Sequence, residues 1–155
     1  MARVADAART LGLDISIWRM ADSTRTAEEA ASACGCATGQ IVKSLIFENA
    51  DTRSLALLLV AGNQNADMDY LSARYGLNFA RCDARRVRDE TGFAIGGVAP
   101  FGHRAPLGVH IDRTLLDHAI VWAAAGRPDS VFSVEPKALA RAIGAVVIDM
   151  RDPVG

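Results

Sequence analysis

Ile41-Val42-Lys43-Ser44-Leu45-Ile46-Phe47 and Leu55-Ala56-Leu57-Leu58-Leu59-Val60, separated by Glu48-Asn49-Ala50-Asp51-Thr52-Arg53-Ser54, decide the fold class. Two short runs rich in branched and aromatic residues flank a polar segment centred on Asn49, Ala50 and Asp51, the pattern of a β-hairpin. The apolar run Leu55 to Ala61 is far too short to cross a bilayer. In the first strand, period-two alternation sets Lys43 on one face with Ile41, Leu45 and Phe47.

Helical signals surround this hairpin. Val4 to Leu11 reads as a helix stopped at Gly12, and Ile15 to Arg19 alternates as a strand. Thr26 and Glu29 stand at capping-box spacing before the helix Ala27 to Cys34, which Gly35 ends. Asp67 starts a helix bearing Met68, Leu71 and Tyr75 on one face, with Gly76 as its stop. A strand at Asn78 to Ala80 and a basic helix at Ala84 to Glu90 follow. From Thr91 to Gly108 the chain holds Gly92, Gly96, Gly97, Pro100, Gly102, Pro106 and Gly108, and reads as irregular. Val109 to Asp112, His118 to Trp122 and Ser130 to Val134 read as strands. Pro136 to Ile143 reads as a helix stopped by Gly144, and Val146 to Ile148 as a last strand. The irregular alternation predicts an α/β single domain over residues 1–155, with a mixed sheet or distorted barrel flanked by helices.

Composition narrows the function classes. The 155 residues are 50% hydrophobic and 23% charged, enough to bury a core without metal or disulfide staples. A net charge of -1 supplies no global positive field for coating nucleic acid, and leaves only local patches. The start of the chain alternates Arg, Asp and Ala with no apolar stretch, so no secretory signal is expected. Cys34, Cys36 and Cys82 form no disulfide framework and fit a reducing, cytoplasmic setting.

Two features carry candidate chemistry. Of 17 basic residues only Lys43 and Lys137 are lysines, and Lys43 sits on an apolar strand face. An ammonium there must find partners, snorkel out at the strand edge, or serve a ligand. The second feature is Gly96-Gly97-Val98-Ala99-Pro100-Phe101-Gly102-His103. Close glycines let main-chain N–H groups approach a phosphate or an oxyanion, while proline stiffens the path. The loop lacks the Gly-Lys-Ser/Thr of a phosphate-binding loop and the dinucleotide fingerprint; a plain structural turn is the competing reading.

Other chemistries fit less well. His103, His110 and His118 have no compact ligand spacing, and neither do the cysteines, so no metal is expected. No basic neighbour activates Cys34 or Cys36, and no Gly-x-Ser-x-Gly elbow is present. Arg81, Arg85, Arg86 and Arg88 make a basic cluster that Asp83, Asp89 and Glu90 dilute, suited to a few phosphates or simply to solvent. Trp18 and Trp122 read as core or pocket lining.

The ordered features resemble the YbaK/prolyl-tRNA-synthetase-associated editing domain family, including its free-standing ProX-type deacylases. The likeness rests on Ala33-Cys34-Gly35, Gln40 to Phe47, Thr91 to His103, and Ala124-Ala125-Gly126 leading to Glu135-Pro136 and Leu139, in family order through about residues 26–149. The resemblance implies a domain that hydrolyses the ester of mischarged aminoacyl-tRNA with no cofactor, metal or covalent nucleophile. It implies that Lys43 orients the terminal adenosine and its phosphate. It implies too that Gly97, Pro100, Gly102 and His103 act at the ester carbonyl, and that Val98, Ala99, Phe101 and Gly126 bound the substrate. On this resemblance the partner is the acceptor end of a mischarged tRNA, with tRNA-Pro one candidate and a partner synthetase left open. No membrane is involved, and Arg81, Arg85, Arg86 and Arg88 are the residues available for tRNA. Phe101 and His103 match the Phe-Gly-His subset of the family rather than the YbaK type proper, so a cysteinyl specificity does not follow, and alanyl, seryl and threonyl esters are equally open. A non-catalytic small-ligand or nucleotide-binding module on the same fold is the alternative.

Overall fold

The structure, a computed structural model, describes residues 2–20, 26–105 and 107–153; Pro106 lies outside them. The hairpin forms its centre. Strands β2 (Val42–Asn49) and β3 (Leu55–Ala61) pair antiparallel, with Val42 opposite Ala61 and Glu48 opposite Leu55. Asn49 closes the turn, its side-chain oxygen accepting from the N–H groups of Asp51 and Thr52.

All seven residues of β3 are buried because both faces of this strand are covered. Leu57, Leu59 and Ala61 join the main core with Val42, Ile111, Phe132 and Leu139. Leu58 and Val60 join a second cluster with Leu71, Ile148 and Met150. A continuous apolar run is what a doubly covered strand requires.

Around the hairpin lie α1 (Ala2–Thr10), β1 (Ile17–Arg19), α2 (Ala27–Cys34), α3 (Met68–Tyr75), β4 (Phe79–Arg81) and α4 (Ala84–Thr91). They are followed by β5 (Gly108–Asp112), β6 (Val121–Ala124), β7 (Ser130–Val134), α5 (Pro136–Ile143) and β8 (Val146–Ile148). A five-stranded sheet runs β4-β2-β3-β5-β8, with β5 parallel to both β3 and β8. A three-stranded antiparallel sheet runs β1-β7-β6. An Ile41–Trp122 bridge joins the two sheets at the start of β2. The expected mixed sheet is therefore present as two sheets with helices packed around them.

Side-chain caps set the helix starts. Thr26 Oγ1 accepts from Glu29 N, Asp67 from Tyr70 N and Asp83 from Arg86 N. Six strands differ at an end from the sequence expectation, β2, β3 and β5 by one or two residues. β1 starts at Ile17 rather than Ile15, and β4 lies one residue further on than Asn78 to Ala80. The strand expected at His118 to Trp122 is instead Val121–Ala124, preceded by a 3₁₀ turn over Arg113–Asp117. Asp112 causes that turn: its Oδ1 accepts from the Thr114 N–H and hydroxyl, which bends the chain straight after β5. Among the described residues no helix is long and apolar enough to cross a membrane.

Candidate active site

At the junction of the two sheets lies a pocket of about 310 Å³. β2 supplies Val42, Lys43, Ser44 and Leu45; α2 and its cap supply Thr26, Ala27 and Ala30. The glycine-rich loop adds Ile95, Gly96 and Val98, and the β6–β7 hairpin adds Trp122, Ala124, Pro128, Ser130 and Val131. The wall is mostly apolar, with a few polar groups converging on it, which is the usual make-up of a small-ligand site.

Two polar residues lie side by side on β2. Lys43 is half-buried, and its ammonium donates to the main-chain carbonyl of Gln64. One such bond leaves two of its three N–H donors for other acceptors. The Ser44 hydroxyl is buried without a hydrogen-bond partner. Alternation along β2 turns that hydroxyl to the face opposite Lys43, the side on which Val42 and Ile46 pack into the main core.

The loop divides between two cavities. Its first half, through Ile95, Gly96 and Val98, faces the Lys43 pocket; Pro100, Phe101, Gly102 and His103 line a separate cleft of about 440 Å³ with Ala7, Leu11 and Ile143. The second cleft is larger, but its imidazole is engaged. His103 Nε2 donates to the Ala99 carbonyl at 2.7 Å, and the ring meets Phe93 edge-on at 5.9 Å. Burial pushes the His103 pKa down, with the Ala99 bond opposing, so the ring is held in its neutral form.

The remaining loop residues are packing elements. Ala99 and Phe101 are buried in the main core, and Phe101 packs 5.5 Å from Phe132. Gly97 donates its N–H to Ala94 O, and a Cβ added to it would meet Arg127 Cα at 3.0 Å. Gly126 has φ 99° and lies against Phe93, where a Cβ would sit 3.1 Å from the ring. Gly97 thus lets the loop meet the β6–β7 turn backbone to backbone, while Gly126 leaves room for the Phe93 ring.

A family model for the aminoacyl-tRNA editing domain matches residues 21–142, most of the chain. The chain belongs to the aminoacyl-tRNA editing domain family. The editing domain is 40% identical to a solved structure named "putative trans-editing enzyme for prolyl tRNA synthetase", with a TM-score of 0.89 over 97% of this chain and 96% of that one. It is 27% identical to a solved hypothetical protein, with a TM-score of 0.86 over 97% and 99% of the two chains. Protein YwhH of Bacillus subtilis (strain 168), itself uncharacterized, is 31% identical over 117 residues, 76% of this chain and 74% of that protein.

Of the residues singled out in the sequence, the editing domain brings Lys43 and Val98 together in one pocket. Pro100, Gly102 and His103 stand in the cleft behind the loop. The arginine cluster also divides. Arg86 is half-buried and bonded to Glu48, to Glu90 and to the Arg53 carbonyl, so it ties α4 to the hairpin. Arg85 and Arg88 are exposed on α4 beside a hollow of about 390 Å³ that shares Ile95 with the Lys43 pocket; Arg81 is exposed on β4. Sequence reasoning did not pick out Ser44, Thr26 or Ser130 as pocket residues; it placed Gly96 in the candidate loop without giving it a role. Trp122 lines the pocket as read, whereas Trp18 is 47% exposed rather than core.

Cysteine chemistry is disfavoured on electrostatic grounds. Burial, and secondarily Cys36, pushes the Cys34 thiol up to about 11; burial also raises Cys36, and no thiolate is poised to attack. Among the described residues no group of three or more His, Cys, Asp or Glu side chains is placed to hold a metal ion.

Proposed function

We propose that this editing domain is a trans-acting aminoacyl-tRNA deacylase, hydrolysing the ester of a mischarged tRNA in the Lys43 pocket. The observation that carries the reading is the meeting of Lys43 with the glycine-loop residues Ile95, Gly96 and Val98 in one cavity. An aminoacyl ester is already activated, so orientation and stabilisation of the developing oxyanion suffice for hydrolysis by water.

In this mechanism Lys43 holds the 3′-terminal phosphate or ribose, and the main-chain N–H groups of Gly96 and Val98 receive the ester carbonyl oxygen. Water adds to the carbonyl carbon, the C–O bond to the ribose breaks, and a proton passes to the departing ribose oxygen. The products are free amino acid and uncharged tRNA. The second half of the loop acts from behind: His103 holds the Ala99 carbonyl, and Phe101 anchors the loop in the core. These are positioning roles. Arg85 and Arg88, next to Ile95 on the pocket rim, are the cluster members open to acceptor-stem phosphates.

The test is incubation with a panel of charged tRNAs, tRNA-Pro carrying a small non-cognate amino acid among them, followed for release of free amino acid. Release from at least one, well above spontaneous hydrolysis, is expected. No release from any would leave the non-catalytic binding module as the reading.

A further inference from the structure

We propose that Trp18 and Trp122 form a stacking platform for an unpaired base at the tRNA 3′ end, beside the Lys43 pocket. The identity of the ligand rests on the deacylase reading; the platform itself rests on the three-stranded sheet. In that sheet Trp18 pairs with Val131, Ala124 also pairs with Val131, and Trp122 pairs with Ser133. Paired residues share a face, and so do residues two apart. Trp18, Val131, Ala124, Ser133 and Trp122 therefore stand on one side, while Ile17, Phe132 and Ala123 turn to the core.

Three residues of the outer side, Val131, Ala124 and Trp122, are already pocket wall. Trp18 extends that wall outward, with its ring centroid 5.8 Å from that of Trp122 and tilted by 52°. Scattered exposed apolar residues need no explanation. A half-exposed indole continuous with a ligand pocket is different, because it offers a π-face where a ligand leaves the site. Ile95, 61% exposed, forms another part of the rim.

Charge points to a nucleotide rather than an apolar partner. Arg19 and Arg127 both reach Asp129, at 3.2 and 3.5 Å. Two guanidiniums on one carboxylate leave a positive balance at the end of β1, one residue beyond Trp18. Burial opposes ionisation of Asp129, but the Ser130 hydroxyl, Arg19 and Arg127 outweigh it and hold its carboxyl below the usual range, so the group stays charged. A flat aromatic face beside net positive charge is the arrangement that holds single-stranded nucleotides without reading their sequence.

The geometry also limits the mode of stacking. Bases rise by about 3.4 Å per step in a stack, so a base between two rings needs roughly twice that separation and parallel planes. Rings 5.8 Å apart at 52° do not admit one. The base therefore lies on the outer face of Trp18, with Trp122 buttressing it from the pocket side.

Because the chain has only two tryptophans, fluorescence excited selectively in the tryptophan band, clear of Tyr70 and Tyr75, reports on this site alone. The probe is an uncharged RNA hairpin ending in single-stranded CCA, titrated beside the same hairpin lacking its terminal base. A saturable quench is expected, at least about tenfold weaker for the abasic hairpin and for Trp18→Ala, and within about threefold of the parent for Trp18→Phe. Equal affinity for the two hairpins, or an unchanged affinity in Trp18→Ala with its melting temperature held, overturns the platform. So does a concentration-dependent self-association that Trp18→Ala abolishes, since the face would then meet a second copy. Deacylation of charged tRNA is scored separately: binding as expected without hydrolysis sinks only the deacylase reading. Hydrolysis with KM unchanged in Trp18→Ala sinks only the platform.

Discussion

Lys43 combines two properties seldom found together on a core strand: a charge on an apolar face and a pocket beside it. Its alternation partners Leu45 and Phe47 pack into the second cluster, so the ammonium owes its position to the same register that builds the core. Replacing it with Ala is expected to leave the fold intact and cut deacylation at least about tenfold, or 1.4 kcal/mol of transition-state stabilisation. Gly97 behaves otherwise. A methyl group there meets the Arg127 backbone, so Gly97→Ala is expected to cost about 1–3 kcal/mol of stability along with activity. Thermal melting beside the hydrolysis assay checks this, and an unchanged melting temperature would show that the loop yields freely. In the sequence, Lys43 and the glycine loop were both legible. What Gly97 packs against was not, because Arg127 lies thirty positions away and meets it only in the folded chain.

At the scale of elements, the hairpin was legible from alternation and its polar turn, and two helix starts from Thr26 and Asp67; the Asp83 cap of α4 was not picked out. The start of β6 was not, because the Asp112–Thr114 hydrogen bonds override the apolar run that follows. Nor was the split of the 96–103 loop, which depends on Phe101 meeting Phe132 and on the Ile41–Trp122 bridge. The arginines at 81, 85, 86 and 88 illustrate the same limit: alike in sequence, they have different duties on β4 and α4. Arg86→Ala removes a half-buried group with three partners and is expected to lower the melting temperature, leaving Glu48 with Arg53 alone and Glu90 without its Arg86 ion pair. Neutralising Arg85 and Arg88 together should leave stability within about 0.5 kcal/mol. It should reduce the slope of log affinity for tRNA against log salt by about one to two. A salt titration that shows no change in slope would make them a solvated helix face.

Over the whole molecule, two half-buried imidazoles couple stability to pH. Burial lowers the pKa of both His103 and His110 below the ordinary 6.5, and His110 Nδ1 is buried without a partner. Below 6.5 the unfolded chain binds protons that the folded rings resist. The stability they contribute is full above that value and is lost as pH falls through the folded values. Melting temperature should therefore be flat from about pH 8 to 7 and decline below about 6.5, with a shallower decline in His110→Gln. A decline of equal steepness in that variant would assign the pH dependence to other groups.

The central claim is that the Lys43 pocket hydrolyses aminoacyl esters, and single-turnover deacylation tests it most directly. The parent and Lys43→Ala, matched for melting temperature, are mixed in excess with whichever charged tRNA the parent cleaves fastest. The variant's rate constant is expected to fall to about a tenth of the parent's or less. A folded Lys43→Ala that releases amino acid at the parental rate would contradict it.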